Sequence, residues 1–135
     1  MSLLIGHGRK HRKLSCIDYE SSTFLDIDPK TNPDIVIDLC KCVYRDKKQY
    51  QEIIMVCSAS HIIRTQDKVN VKFLNSLYDL LDDRGKFYTS ETYSRNNVSL
   101  DIFISDITKY SGLTFVEKVY KPEIQKGLMF VFQKI

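Results

Sequence analysis

Short apolar runs alternate with amphipathic stretches along this chain, and that alternation predicts a mostly parallel sheet with crossover helices. Four runs come first. Residues 2–5 end at Gly6-His7-Gly8, 23–27 end in Asp28-Pro29, 34–37 end at Asp38, and 52–57 turn polar at Ser58-Ala59-Ser60. They lack the strict alternation of a half-exposed strand and so fit strands covered on both faces. The period then changes. Phe73, Leu77 and Leu80, with Leu74 and Leu81 beside them, recur at helical spacing. Asp67 or Asn70 caps the start, and Gly85 is placed to end this helix in a left-handed turn. Residues 86–89 predict a fifth strand. A second amphipathic stretch carries Leu100, Phe103, Ile104, Ile107 and Tyr110 on one face, with Gly112 to close it. Two strands rich in Val, Phe and Tyr finish the pattern, 113–120 and 127–134. A parallel crossover needs about a dozen residues or more, and the link 121–126 is shorter, so these last strands are expected to run antiparallel.

No repeat, low-complexity tract or linker divides the pattern, and residues 1–135 are read as one domain. The links among the second, third and fourth strands are too short for full-length helices. One face of the sheet is therefore expected to be thinly covered and to offer an interface for a homo- or hetero-oligomer. The longest apolar run is strand length, with no signal or membrane-spanning stretch, so a soluble, cytoplasmic protein with no membrane partner is expected. Cys16, Cys40, Cys42 and Cys57 form no CxxC pair and no zinc spacing with the histidines. They read as reduced thiols, three of them in or beside strand or short-helix segments, packing as small apolar residues. No metal site is expected.

The net charge of +3 is too mild to argue for nucleic acid. Its distribution adds one basic run, from Arg9 and Lys10 through His11 to Arg12 and Lys13, beside the first glycine turn. A solvated loop is one reading of this run. The other is a phosphate-binding patch, made by Arg9, Lys10, Arg12 and Lys13, for an RNA or nucleotide substrate.

Gly6-x-Gly8 follows the first strand and Asp26 ends the second. The spacing of about 20 residues is that of a glycine turn and an acid which together hold a nucleotide-like ligand. Glycine admits a ligand to the backbone where a Cβ would block it, and a carboxylate accepts both hydroxyls of a ribose. The alternative is a bare tight turn with a solvated acid. Asp38 and the small polar cluster after the fourth strand stand at the same carboxyl edge, where open α/β sheets bind ligands. The third glycine of the dinucleotide fingerprint is missing, Lys10 and His11 standing where it is sought, which disfavours a nicotinamide-dependent oxidoreductase.

Leu3-Leu4-Ile5-Gly6-His7-Gly8 resembles the first motif of the class I S-adenosylmethionine (SAM) methyltransferases. Residues 24–29, Phe-Leu-Asp-Ile-Asp-Pro, and 32–39, Asn-Pro-Asp-Ile-Val-Ile-Asp-Leu, resemble a subgroup in which an acid–Ile–x–Pro segment closely follows the glycine turn. The resemblance implies a three-layer Rossmann-like α/β methyltransferase fold, its mostly parallel sheet closed by an antiparallel C-terminal strand. It also implies SAM as cofactor and an unknown acceptor. Carried over by position, Gly6, His7 and Gly8 lie against the methionine part of the cofactor. Asp26 holds the ribose, Ile27 packs on the adenine, and Asp38 with Leu39 lies near the adenine amino group. Cys57 and Ser58 line the site near the methionine ammonium and the methyl group.

The chain departs from that family after the fourth strand. Ser60-His61-Ile62-Ile63-Arg64 lacks the family's acid, and no segment is long enough to cover a substrate. His61 reads as a polar cap on a loop rather than a base, and no catalytic residue is assigned. Tyr88 and Tyr93 stand at the same edge, to stack on a planar substrate or to join the core. Two functions are therefore weighed: a SAM-dependent methyltransferase, and a degenerate, non-catalytic protein of that fold acting as a partner-binding or regulatory subunit.

Overall fold

The apolar runs become neighbours in one sheet. The computed structural model describes residues 1–56, 59–65, 68–90 and 99–135. In chain order its elements are β1 (Ser2–Ile5), β2 (Thr23–Asp26), β3 (Ile35–Val36), β4 (Tyr50–Met55) and a short helix α1 (Ala59–Ile62). A small hairpin of β5 (Arg64–Thr65) and β6 (Lys68–Val69) follows, then α2 (Val71–Leu80), β7 (Leu81–Ser90), α3 (Leu100–Ser111), β8 (Thr114–Tyr120) and β9 (Leu128–Gln133). Seven strands form one sheet in the order β3-β2-β1-β4-β7-β9-β8. The first five of these neighbours are mutually parallel, and β9 is antiparallel to both β7 and β8. The reversed strand follows from the short link before it, as the sequence requires. The chain runs from β1 outward through β2 to β3 and then returns to β4 on the other side of β1, so the strand order reverses between β1 and β4. The carboxyl edge beside that switch point, at the ends of β1 and β2, is where sheets of this kind bind ligands.

The two sheet faces are covered unequally. Leu3, Ile53, Phe87 and Phe132 face α2 and α3, meeting Phe73, Leu77, Phe103 and Ile107 in the larger core. Phe132 lies against Phe87, Phe103 and Phe115 at ring separations of 5.4–6.5 Å, the distances of favourable edge and tilted aromatic pairs. On the other face Leu4, Phe24, Ile54 and Val131 are sealed by Leu14 and Ile124, which come from coil. The third layer is thus irregular chain. The crossover from β1 to β2 carries five consecutive basic or histidine residues and then Asp18, Ser21 and Ser22, a poor helix former.

Asn70 caps α2 by accepting the Phe73 amide at 3.2 Å, and its own amide group donates to the Leu39 carbonyl at 3.0 Å. The end of α2 differs from the sequence expectation. The helix stops at Leu80, because Leu81 already pairs with Tyr50 of β4; residues 82–85 loop out before Lys86 rejoins opposite Glu52. The left-handed residue there is Arg84 (φ 63), not Gly85. Gly85 is needed for space, since a Cβ would stand 2.8 Å from the Asp82 carbonyl and 3.0 Å from that of Tyr50. Gly112 (φ 77) closes α3 as the sequence predicts, and Ser99 caps its start by accepting the Ile102 amide at 3.3 Å. Among the described residues no helix is long and apolar enough to cross a membrane.

Candidate functional site

β1 ends at Gly6, whose φ of 83 turns the chain off the strand while its amide still donates to the Leu25 carbonyl at 2.8 Å. Glycine meets that angle without steric cost. β2 ends at Asp26, one strand away. After β3, Asp38 folds the chain back: its carboxylate accepts the Cys40 amide at 3.0 Å and its carbonyl accepts the amides of Lys41 and Cys42. These turns and α1 enclose a cleft of about 250 Å³. Gly6, Asp26, Ile27, Asp38 and Leu39 line it, so five sequence-predicted positions meet there. Ile27 is 60% exposed beside the cleft and offers it an apolar surface. A wider depression of about 420 Å³ lies at the opposite sheet edge, around Tyr78, Arg84 and Lys134. The Lys134 ammonium is already held there by the Tyr78 and Leu81 carbonyls, and the sequence places no ligand chemistry beside it.

Asp26 is only 8% exposed, and its Oδ2 accepts the Thr31 hydroxyl at 3.0 Å. Thr31 ends a single 3-10 turn (Pro29–Thr31), which Asp28 caps by accepting the Lys30 amide at 2.9 Å. Proline at the first position of the turn suits its fixed φ. The turn is stitched to the loop after β1 by Lys10 N–H to the Thr31 carbonyl, 2.8 Å, and Arg9 N–H to the Asn32 carbonyl, 3.1 Å. This contact gives Gly8 a neighbour within the protein itself. A Cβ on Gly8 would stand 2.2 Å from the Thr31 carbonyl oxygen and 2.3 Å from its hydroxyl. Gly8 is glycine to admit Thr31, and it does not line the cleft.

His7 does not line it either. Its ring is buried, 4.7 Å from His11 and 6.2 Å from Phe24, with Nε2 2.8 Å from the Arg12 carbonyl. A carbonyl only accepts, so Nε2 carries the proton. Burial pulls the His7 proton affinity below that of ordinary histidine, against the opposing pull of the Arg12 carbonyl. The unfolded chain takes up this proton near pH 6.5, and the folded chain only at lower pH. Stability is then complete above that pH and declines below it until the folded value is passed, at no more than about 1.4 kcal/mol per pH unit. His7→Gln is expected to flatten the decline between about pH 7 and about pH 5 in urea denaturation. Parallel declines in both proteins would contradict this account.

No profile of a known protein family matches the chain, and no curated protein matches its sequence. Its structure does match solved ones. The N-methyltransferase NodS from Bradyrhizobium japonicum WM9 superposes with a TM-score of 0.66 at 13% identity, over 98% of this chain and 84% of that one. The glycopeptide N-methyltransferase MtfA, solved with SAM, gives 0.66 at 10% identity, over 99% and 86%. A SAM-dependent methyltransferase from Mesorhizobium loti gives 0.65 at 10% identity, over 98% and 90%. This is the methyltransferase fold.

Within that fold the other sequence-predicted residues fall as follows. Cys57, Ser58 and Tyr93 lie outside the described residues. Tyr88 is buried in the core under the coil layer, with the Lys121 ammonium 5.4 Å from its ring centre, and burial raises its hydroxyl pKa. Cys16, Cys40 and Cys42 are exposed, unlike the small core residues expected, because Cys16 and Cys40 sit in turns and Cys42 in irregular chain, not in the strands. The Cys40 thiol is 3.0 Å from the His61 carbonyl, and both residues line the cleft. Thr31, Cys40 and Ile62 are site neighbours that sequence reasoning missed. The Asp28-Pro29 pair was the available signal for Thr31, since it marks a capped turn directly after Asp26.

The basic run of this methyltransferase fold is partly spent on the protein itself. Arg9 forks onto Asp34 at 2.8 and 2.9 Å, donates to the Tyr19 and Ser22 carbonyls, and lies 4.7 Å from the Phe24 ring centre. Arg12 donates to the Glu123 and Ile124 carbonyls and so ties the two coil segments together. A phosphate patch needs these guanidinium groups free, and the structure commits both of them. Burial of Asp34 favours its protonated form, but the Arg9 contact and the Phe24 amide outweigh it and hold the carboxyl below its usual range. Both side chains of the pair keep about a third of their surface in solvent, so screening limits the ion pair itself. Arg9→Lys loses the planar fork and the carbonyl bonds, and is expected to cost about 1–2 kcal/mol in urea denaturation. A change within about 0.3 kcal/mol would show that the fork holds nothing.

Proposed function

We propose that the cleft binds SAM and that the protein is a SAM-dependent methyltransferase with an acceptor still to be found. One observation carries the reading. A buried carboxylate, Asp26, ends the strand beside a glycine turn at the carboxyl edge of the sheet, and a cleft lies between them. Solved proteins of this fold support it: NodS and a 1,6-didemethyltoxoflavin-N1-methyltransferase from Burkholderia thailandensis were crystallised with S-adenosylhomocysteine, and MtfA with SAM.

The residues present suit such a ligand. Asp26 offers a carboxylate to vicinal hydroxyls, Ile27 and Leu39 offer apolar contact to a flat base, and Asp38 stands at the same wall. Gly6 exposes backbone where a side chain would narrow the cleft. By the family resemblance, Cys57 and Ser58 would stand toward the methyl group. Bound SAM would supply a sulfonium-activated methyl, the reactive chemistry of the reaction. The protein's share is to orient that ligand and exclude water; aligning two reactants in this way supplies roughly 7–11 kcal/mol of a barrier. Calorimetric titration of the protein with SAM and with S-adenosylhomocysteine tests the reading. Dissociation constants in the micromolar range are expected for both. A folded protein that gives no heat at millimolar ligand would refute it.

A further inference from the structure

We infer that Thr31 is a positioning residue that makes the cleft selective for a vicinal diol; this rests on reading the cleft as a SAM site. Asp26 is the last residue of β2, and without an anchor its carboxylate would turn about two side-chain bonds. The Thr31 hydroxyl donates to Oδ2 at 3.0 Å and fixes it. Thr31 is itself 9% exposed, so the bond is made away from competing water. Among the described residues the other oxygen, Oδ1, has only the Asp28 amide at 3.4 Å, a long contact that leaves its lone pairs available. A carboxylate held by one oxygen presents the remaining acceptor sites in one orientation, and two adjacent hydroxyls match that better than one.

The same residue ties the turn after Asp26 to the loop after β1. Its carbonyl accepts the Lys10 amide at 2.8 Å and packs against the bare Cα of Gly8. Thr31 therefore sets the Asp26 carboxylate relative to the glycine loop through one hydroxyl and one carbonyl. Loss of the hydroxyl alone removes the carboxylate's anchor and leaves the loop contact, so its effect is confined to ligand hydroxyl recognition. The Thr31 hydroxyl also lies 3.0 Å from the Asp28 carbonyl; having one proton, it gives it to the carboxylate, the charged and stronger acceptor.

The test compares S-adenosylhomocysteine with its 2′-deoxy analogue by calorimetry on wild type, Thr31→Val and Thr31→Ser. Wild type is expected to prefer the ribose ligand by roughly tenfold or more, as for a lost charge-assisted hydrogen bond. Thr31→Val should lose about that factor for the ribose ligand and less than about twofold for the deoxy one, so the preference collapses. Thr31→Ser, which keeps the hydroxyl, should restore it. Thr31→Ala serves as the second variant without a hydroxyl if valine does not fold. An undiminished preference in the valine or alanine variant overturns the assignment while leaving the cofactor reading intact. Equal weakening of both ligands without rescue by serine also overturns it, marking a purely structural role. Wild type that binds neither ligand removes the cofactor reading and this inference together.

Discussion

Alanine at position 8 is expected to lower stability by about 2–4 kcal/mol, the upper range for overpacking a close-packed site. The added methyl carbon would meet the Thr31 carbonyl oxygen at 2.2 Å and its carbonyl carbon at 2.6 Å, well inside van der Waals contact. These are backbone atoms of a turn held at both ends, by the Asp28 cap and by the Lys10 and Arg9 amides. No flexible side chain can move aside. Trimming Thr31 to alanine as well removes the hydroxyl contact at 2.3 Å but leaves the carbonyl in place, so the double variant should recover only part of the loss. Gly127 provides the control. Its φ of 88 strains alanine, yet nothing lies within 4 Å of a Cβ there, and the cost should be about 1 kcal/mol. Urea denaturation of the variants measures all of these effects. A Gly8→Ala loss below that of Gly127→Ala would mean that the two loops are not in contact.

The second large effect concerns ligand rather than fold. Asp26→Ala is expected to weaken S-adenosylhomocysteine binding about 100-fold, the equivalent of a charge-assisted hydrogen bond to each of two hydroxyls after discounting their exchange with water. Stability should change far less, because the Thr31 hydroxyl released by the substitution has the Asp28 carbonyl at 3.0 Å as a ready acceptor. Asp26→Asn keeps the shape and loses the charge, and should fall between, near tenfold. Calorimetry gives the affinities, and far-ultraviolet circular dichroism with a thermal melt confirms that the variants fold. Wild-type affinity in Asp26→Ala would remove this carboxylate from the site.

Much of the frame was legible because it depends on short-range pattern and chain length. Leu3, Leu4 and Ile5 are apolar in succession because β1 is covered on both faces. The reversed β9 follows from a link too short to cross the sheet. Gly112 announces the end of α3 through chemistry that belongs to helix ends. What could not be read depends on partners distant in sequence. The early end of α2 is imposed by Tyr50, whose pairing with Leu81 overrides the preference for glycine in a left-handed turn and leaves that conformation to Arg84. Gly8 carries the same letter whether a ligand or the protein's own backbone approaches it; only the position of Thr31 decides. Arg9 and Arg12 read as surface charge until Asp34 and Ile124 are brought beside them. Thr31 itself carried no signal beyond the capped turn that contains it.

The central claim is that one ligand sits between Gly6 and Asp26. An amide-resolved nuclear magnetic resonance titration of the isotope-labelled protein with S-adenosylhomocysteine tests it most directly. Saturable shifts are expected at Gly6, Ile27, Asp38 and Leu39, while Tyr78, Arg84 and Lys134 at the opposite sheet edge stay in place. A spectrum unmoved at saturating ligand, or one that moves only at that opposite edge, would contradict it.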